Sequence, residues 1–397
     1  MAQVWLVLKL TDSGFGLGLV TALQWSPILV FGAWAGVLAD RFDKRKLLIF
    51  TNVSGGFLSL ILGLLTVADV VQLWMVVVIA LLMGLVTALD NPTRQTFTLE
   101  MVGRERLTNA VSLNTMTFTT ARIAGPVIAG LLISFVGIGQ CFLLNVVSFI
   151  PITIALFKMK TDELTQAERV EQGPRQVREG LRYVATMPTL KTLLIVMAIV
   201  GTLQYNFQVI LPLLAKDTFH EGAAGFGLLG AAIGVGMFVG SLSSAAFGRP
   251  SRKILLLAGG SLGVCTLLVA AAPSLLWAAV LLIPLGASSM AFLATINSTL
   301  QLNSSDAMRG RVMAMYFVLF LGSTPIGAPL VGWVAETFSP RASVVLGGIA
   351  TLGAFRCPRS QRSCSRSAPA GRSSGWSPRG RPAGQARSRR WHSRWHS

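Results

Sequence analysis

The sequence predicts an all-α integral membrane protein of twelve helices, arranged as two six-helix halves. Three observations carry this. Only 13% of the residues are charged against 52% hydrophobic, whereas a soluble domain carries about 25% charged residues. The apolar residues fall in uncharged blocks of helix length, and about 20 such residues cross the ~30 Å hydrocarbon layer. The two ends of the chain also repeat each other's motifs around a polar centre. Twelve spans need roughly 240 residues, and the chain has 397. Disorder is excluded for most of the length, since disordered segments are poor in apolar residues.

The spans follow in order. Ala2 to Leu10 offers only about half of a first crossing at 1.5 Å per residue, so the first helix is expected to be truncated. Ser13–Ala39, Leu47–Ala68 and Val70–Leu89 each lack charge and are one helix long. Leu107–Phe157 has Arg122 as its only charge and is long enough for two spans. Polar sequence occupies Lys158–Lys191. Apolar sequence resumes at Thr192–Ala215 and Gly222–Gly248. Ile254–Ser305 is divided into two helices by Ala272-Pro273-Ser274, and Val312–Ala335 is a further span. The last, Ala342–Phe355, is short and breaks off into Arg-Cys-Pro-Arg. The expected organisation is an N-terminal half over residues 1–158, a linker over 159–191, a C-terminal half over 192–355 and a tail over 356–397.

Charge gives the orientation. The net charge is +18, but Arg356–Ser397 holds 11 of the 34 bases and none of the 16 acids. A nucleic-acid partner would therefore rest on the tail alone, and none is expected. The tail reads as a shifted reading frame or a disordered segment. Alternatives are a basic tail on anionic lipid head groups and an RNA-binding Arg/Ser/Gly segment. When the short loops are assigned alternately, one face collects Arg41, Lys44, Arg45, Lys46, Arg94, Arg104, Arg106, the linker bases, Arg249, Arg252, Lys253, Arg309 and Arg311. The other collects Lys9, Lys216 and Arg341. The positive-inside rule makes the basic face cytoplasmic. The linker and C-terminus then lie inside a multi-pass inner-membrane protein.

Chemistry is sparse. Four cysteines without a CxxC and three histidines support neither a disulfide framework nor a metal site. There is no GxSxG and no Walker loop, so an enzyme is not expected, nor is a cofactor. Arg122 is the one ionisable residue deep in a span. Such residues face a cavity or a partner, and Thr119, Thr115 and Asn114 continue its helical face. The alternative is a structural role on carbonyls freed near Pro126. Span seven carries Gln204, Tyr205, Asn206 and Gln208, with Gln204 and Gln208 spaced i, i+4. Gln24, Trp25, Asn145 and Asn297 are weaker polar candidates, each also explained by a helix–helix hydrogen bond.

Gly36-Val37-Leu38-Ala39-Asp40-Arg41-Phe42-Asp43-Lys44-Arg45-Lys46 resembles the signature loop between helices two and three of the major facilitator superfamily. Gly248-Arg249-Pro250-Ser251-Arg252-Lys253 is its weaker copy, with Phe247 where the acid would stand. Asp90-Asn91-Pro92-Thr93-Arg94-Gln95 is similar to the branch of macrolide-efflux proteins and siderophore exporters. Gly125-Pro126 through Gly130 resembles the helix-five motif of antiporters, and Gly327-Ala328-Pro329-Leu330-Val331-Gly332 repeats it. In this chain Asp43 replaces the loop's second glycine, Ala129 replaces a glycine of the helix-five motif, and Ala121 stands where an earlier glycine is usual.

The resemblance implies a fold and a set of roles. Gly36, Asp40, Arg41, Lys44, Arg45, Asp90 and Arg94 form a gating loop. Asp40 meets the N-terminus of helix eleven, near Arg311 or Val312, and latches the outward-open state. Lys44 acts as a relay base with Asp90 as its partner. The alternative is that these charges only anchor an inside loop. Arg122, Gly125, Pro126 and Gly130 form the helix-five motif, which either seals the path or merely packs. Gln24, Asn114, Thr115, Thr119, Gln204, Tyr205 and Gln208 are candidates for the substrate cavity. The function implied is secondary active efflux of an amphipathic small molecule (drug, macrolide or siderophore-like). It would proceed by alternating access in a monomer within the lipid bilayer, with a proton gradient as energy source. An importer and an inactive truncated gene product are the alternatives. No acid lies at mid-membrane, so the proton carrier is either in the missing part of span one or Asp90.

Overall fold

The computed structural model describes residues 1–159, 182–246 and 251–356. Most of the linker, the tail beyond Arg356 and the loop with Phe247 and Arg249 lie outside the described residues. All regular structure among the described residues is helical: α1 (Ala2–Thr11), α2 (Gly14–Arg41), α3 (Lys44–Val67), α4 (Leu73–Phe135), α5 (Ile138–Lys158), α6 (Pro188–Leu203), α7 (Phe207–Leu213), α8 (Ala223–Ala246), α9 (Arg252–Ala270), α10 (Leu275–Leu302), α11 (Asp306–Leu321), α12 (Thr324–Thr337) and α13 (Pro340–Arg356). Among the described residues, nine spans are long and apolar enough to cross a membrane, and three apolar helices are shorter: Ala2–Thr11, Thr120–Phe135 and Pro340–Phe355. Two of the short ones are the first and last helices, as the hydropathy pattern predicts.

Local chemistry starts several helices. Ser13 caps α2 by accepting from the Gly16 N–H, Asp43 caps α3, Ser251 caps α9 and Ser274 caps α10. Each supplies an oxygen to N–H groups that have no partner within the helix.

Two elements differ from the sequence expectation. The span boundaries place a connection at residues 90–106, between spans four and five, but α4 runs as helix through all 63 residues from Leu73 to Phe135. A straight helix of that length would extend about 95 Å, three times the hydrocarbon thickness of about 30 Å. Yet Ile79 and Met83 line the same cavity as Ala121 to Leu132, so α4 folds back on itself between them. The polar side chains there are compatible with helix, and the charges do not by themselves end one. Span seven was expected to be continuous. It is broken after Leu203, resumes at Phe207 and ends in a π-helical turn, Leu214–Thr218. Asn206 causes the break locally, because its side-chain amide donates to the Thr202 carbonyl at 2.7 Å and so competes with the backbone for it.

The C-terminal half has its own core, with Leu190, Met197, Val200, Leu229, Leu262, Leu282, Phe292 and Ile296 buried together. A second core joins the halves: Leu6, Val7, Leu17, Leu62 and Ile79 pack with Val209, Leu213, Ala328 and Ala335. This joint is built on antiparallel helix pairs. The start of α2 packs on the end of α12, and the last third of α4 packs on the start of α8. Both pairs meet at the face opposite the basic loops. Trp5 of α1 stacks on Phe226 of α8 at 5.9 Å in the same region.

Candidate functional site

The basic loop between α2 and α3 is held by partners within the N-terminal half. Asp43 accepts from the backbone N–H groups of Arg45 (3.0 Å) and Lys46 (3.3 Å). This explains why the loop's second glycine is replaced: with φ −60° the position needs no glycine, and the carboxylate caps α3. Arg45 donates to the carbonyls of Leu156 (2.6 Å) and Phe157 (2.8 Å). Its guanidinium thus covers the negative C-terminal end of α5.

Lys44 does not pair with Asp90. It pairs with Glu100. Asp90 instead accepts from Thr51 Oγ1 at 2.8 Å and from both Nε (2.9 Å) and Nη2 (3.1 Å) of Arg94. The reason is helical spacing. Arg94 lies one turn beyond Asp90, the favourable i, i+4 relation, whereas Glu100 lies ~15 Å along the axis from Asp90. The side chains of Asp40 and Arg41 and the surroundings of Gly36 lie outside the described residues, as do the side chains of Thr115 and Thr119. Asn114 is exposed, and Gln24 is half-buried on α2.

Arg122, Gly125, Pro126 and Ala129 border a cavity of about 740 Å³. Ser59 of α3, Asn145 and Ser148 of α5, Ile79 and Met83 of α4, and Met1 to Gln3 of α1 complete its wall. Asn145 donates to Ser59 Oγ at 3.2 Å. Arg122 reaches across to Met237 Sδ on α8 at 3.8 Å. Pro126 has no N–H, so the Arg122 carbonyl one turn earlier lacks its helical donor; that carbonyl abuts Gly234, where a Cβ would come within 2.7 Å of it. Gly130 packs against Gly227 and the Ala223 carbonyl in the same way. Gly125 does not: a Cβ there would meet nothing within 4 Å, so close packing belongs to Gly130 alone of the motif's two glycines. The repeat copy occupies the equivalent place, with Ala328 and Gly332 against Gly18 and Gly14 of α2.

Span seven corrects the second cluster. Gln204 and Gln208 do not share a face, because the helix breaks between them. Gln204 is 2% exposed and donates to Thr266 Oγ1 of α9 at 2.7 Å, inside the C-terminal half. Gln208 is exposed. Tyr205 donates to the Ser289 carbonyl at 2.9 Å and accepts from Ser289 Oγ at 3.0 Å. It packs edge-on against Phe207 and Phe320. Tyr316 stacks on Phe320, so an aromatic group joins span seven to α11.

Sequence reasoning missed a polar cluster on the face opposite the basic loops. Glu336, at the end of α12, accepts from Ser13 Oγ at 2.5 Å and from the Phe15 N–H at 2.8 Å. Lys216 pairs with Asp12 at 2.5 Å and donates to the Leu8 carbonyl at 3.2 Å. The available signal was an N-cap serine beside one of the few acids on that face.

A family model described as transmembrane secretion effector matches residues 1–360. The chain is 26% identical over 348 residues to the enterobactin exporter EntS of Shigella flexneri, covering 86% of this chain and 82% of that protein. It is 24% identical to macrolide efflux protein A of Streptococcus pyogenes, over 65% of this chain and 64% of the relative. The staphyloferrin A transporter of Staphylococcus aureus (strain NCTC 8325 / PS 47) is 28% identical over 40% of this chain and 42% of that protein. The match thus spans less than two thirds of the last two relatives. Among solved structures, a bacterial homologue of the human lysosomal transporter Spinster, in an inward-facing and unoccupied conformation, superposes with TM-score 0.69 at 15% identity, covering 89% of this chain and 91% of that one. The nucleoside transporter NupG superposes with TM-score 0.69 at 14% identity, over 89% and 92%. The chain belongs to the transmembrane secretion effector family and has the multi-span helical fold of the major facilitator superfamily.

Proposed function

We propose that this transporter exports an amphipathic small molecule, macrolide- or siderophore-like, by rocking two six-helix halves about a midplane site in exchange for protons. The observation that carries the reading is where the halves touch. α2 meets α12 and α4 meets α8 through glycines at the face opposite the basic loops, and the second hydrophobic core bridges the halves in the same region. On the basic face, Lys44–Glu100, Thr51–Asp90 and Arg45 with the end of α5 tie elements within one half. With the basic face cytoplasmic, the chain is in a state sealed to the outside. The substrate class comes from the names of the relatives, and proton exchange from the helix-five motif. In this reading binding energy that differs between two states does the work, with no chemical step.

The test is uptake of erythromycin into inside-out proteoliposomes with an acidic lumen. Accumulation that collapses when nigericin dissipates the gradient supports the reading. Accumulation that requires ATP, or that proceeds only with the gradient reversed, contradicts it.

A further inference from the structure

We propose that Glu336, with Ser13 and the N-terminus of α2, forms an outer latch that holds the two halves closed on the face opposite the basic loops, reinforced by Asp12 and Lys216. The inference rests on the alternating-access reading above and assigns the residues that time its outer opening.

The geometry is that of a capped helix whose cap comes from the other half. The first N–H groups of α2 have no partner in the helix and carry roughly half a positive charge. Ser13 Oγ satisfies the Gly16 N–H at 2.9 Å. Glu336, over three hundred residues away in sequence, accepts from the Phe15 N–H at 2.8 Å and from the Ser13 hydroxyl at 2.5 Å. A carboxylate is thus held at a helix N-terminus by charge-assisted bonds.

The turn before α2 serves the same joint. Asp12 ends α1 in a left-handed conformation (φ 49°). It meets Lys216, in the π-helical turn that ends span seven, at 2.5 Å. Lys216 also donates to the Leu8 carbonyl, which already accepts the Asp12 N–H in the last turn of α1. Two consecutive residues, Asp12 and Ser13, therefore each engage a different element of the C-terminal half.

Opening this face must break both contacts, made by acids that already stand at the solvent edge of the joint. The arrangement mirrors what is expected of Asp40. Asp40 stands at the other end of α2 in sequence, where the resemblance assigns it a latch on the basic face. One acid would hold the inner face shut and the other the outer.

The experiment uses the full chain in nanodiscs, with Cys141, Cys265, Cys357 and Cys364 replaced by serine. Spin labels at Phe135→Cys (end of α4) and Leu276→Cys (start of α10) report the separation of the halves on this face. Glu336→Gln and the milder Ser13→Ala should each raise the population at long separation roughly two- to fivefold, and Glu336→Asp should restore part of the short population. Erythromycin transport is measured on the same samples. An unchanged distribution in both variants, with transport intact, overturns the latch and leaves the transport reading standing. A single fixed separation in the parent and every variant overturns both.

Discussion

Gly18 of α2 lies so close to the Ala328 carbonyl of α12 that a Cβ at position 18 would come within 2.3 Å of that oxygen. The obstacle is backbone, which cannot swing aside as a side-chain tip can. Across the bundle, Gly234 stands in the same relation to the Arg122 carbonyl at 2.7 Å. The two antiparallel pairs thus approach backbone to backbone, as small residues allow between membrane helices.

Gly18→Val should therefore force α2 and α12 apart. Overpacking of this kind costs about 1–3 kcal/mol, charged only to the state closed at this face. Erythromycin export should fall about five- to 150-fold, while membrane insertion stays normal by protease mapping. Gly260→Ala in α9 is the control, since nothing lies within 4 Å of the added methyl, and it should transport like the parent.

Lys44 and Glu100 form a half-buried pair, and Asp90 answers to Arg94 and Thr51. Reversing the pair with Lys44→Glu and Glu100→Lys together should recover most of the melting temperature lost in either single variant. Exchanging Lys44 with Asp90 should recover none. A double-mutant cycle on Lys44 and Glu100 should return a coupling of about 0.5–1 kcal/mol or somewhat more, given partial burial.

Gln204 is buried in the C-terminal half, where it donates to Thr266. Gln204→Ala leaves Thr266 without its donor and should destabilise the protein by about 1–3 kcal/mol, read as a lower melting temperature in detergent. Gln208 is exposed, and Gln208→Ala should leave that temperature unchanged.

Arg122 and Asn145 border the same cavity. Cysteines at 122 and 145 should both react with a small methanethiosulfonate reagent. Erythromycin should protect position 122 if the cavity communicates with the path between the halves. Reaction at neither position would contradict an accessible cavity.

Much of the fold is legible in the sequence because hydropathy measures the membrane directly. The uncharged blocks from Ser13 to Phe355 mark the spans, and the paired Gly-Pro motifs at Gly125–Gly130 and Gly327–Gly332 mark the two places where the halves meet. What escaped is set by local competition and by distance. Asn206 breaks span seven through its own side chain, which periodicity does not register, and so separates Gln204 from Gln208. α4 stays helical past Asp90 despite Pro92, which the charge pattern does not register, so Glu100 comes into reach of Lys44. Glu336 and Ser13 are over three hundred residues apart, and no local pattern ties an acid to a cap it reaches only through the packing of α2 on α12.

The most direct measurement places one spin-label pair on each face of the full chain. Phe135→Cys with Leu276→Cys reads the latched face, and Phe42→Cys with Leu302→Cys reads the basic face; all four positions are exposed or lie at exposed helix ends. Adding erythromycin and a pH gradient should lengthen one separation as the other shortens. Separations that move together, or that do not move while the drug is transported, would contradict two halves rocking about a central site.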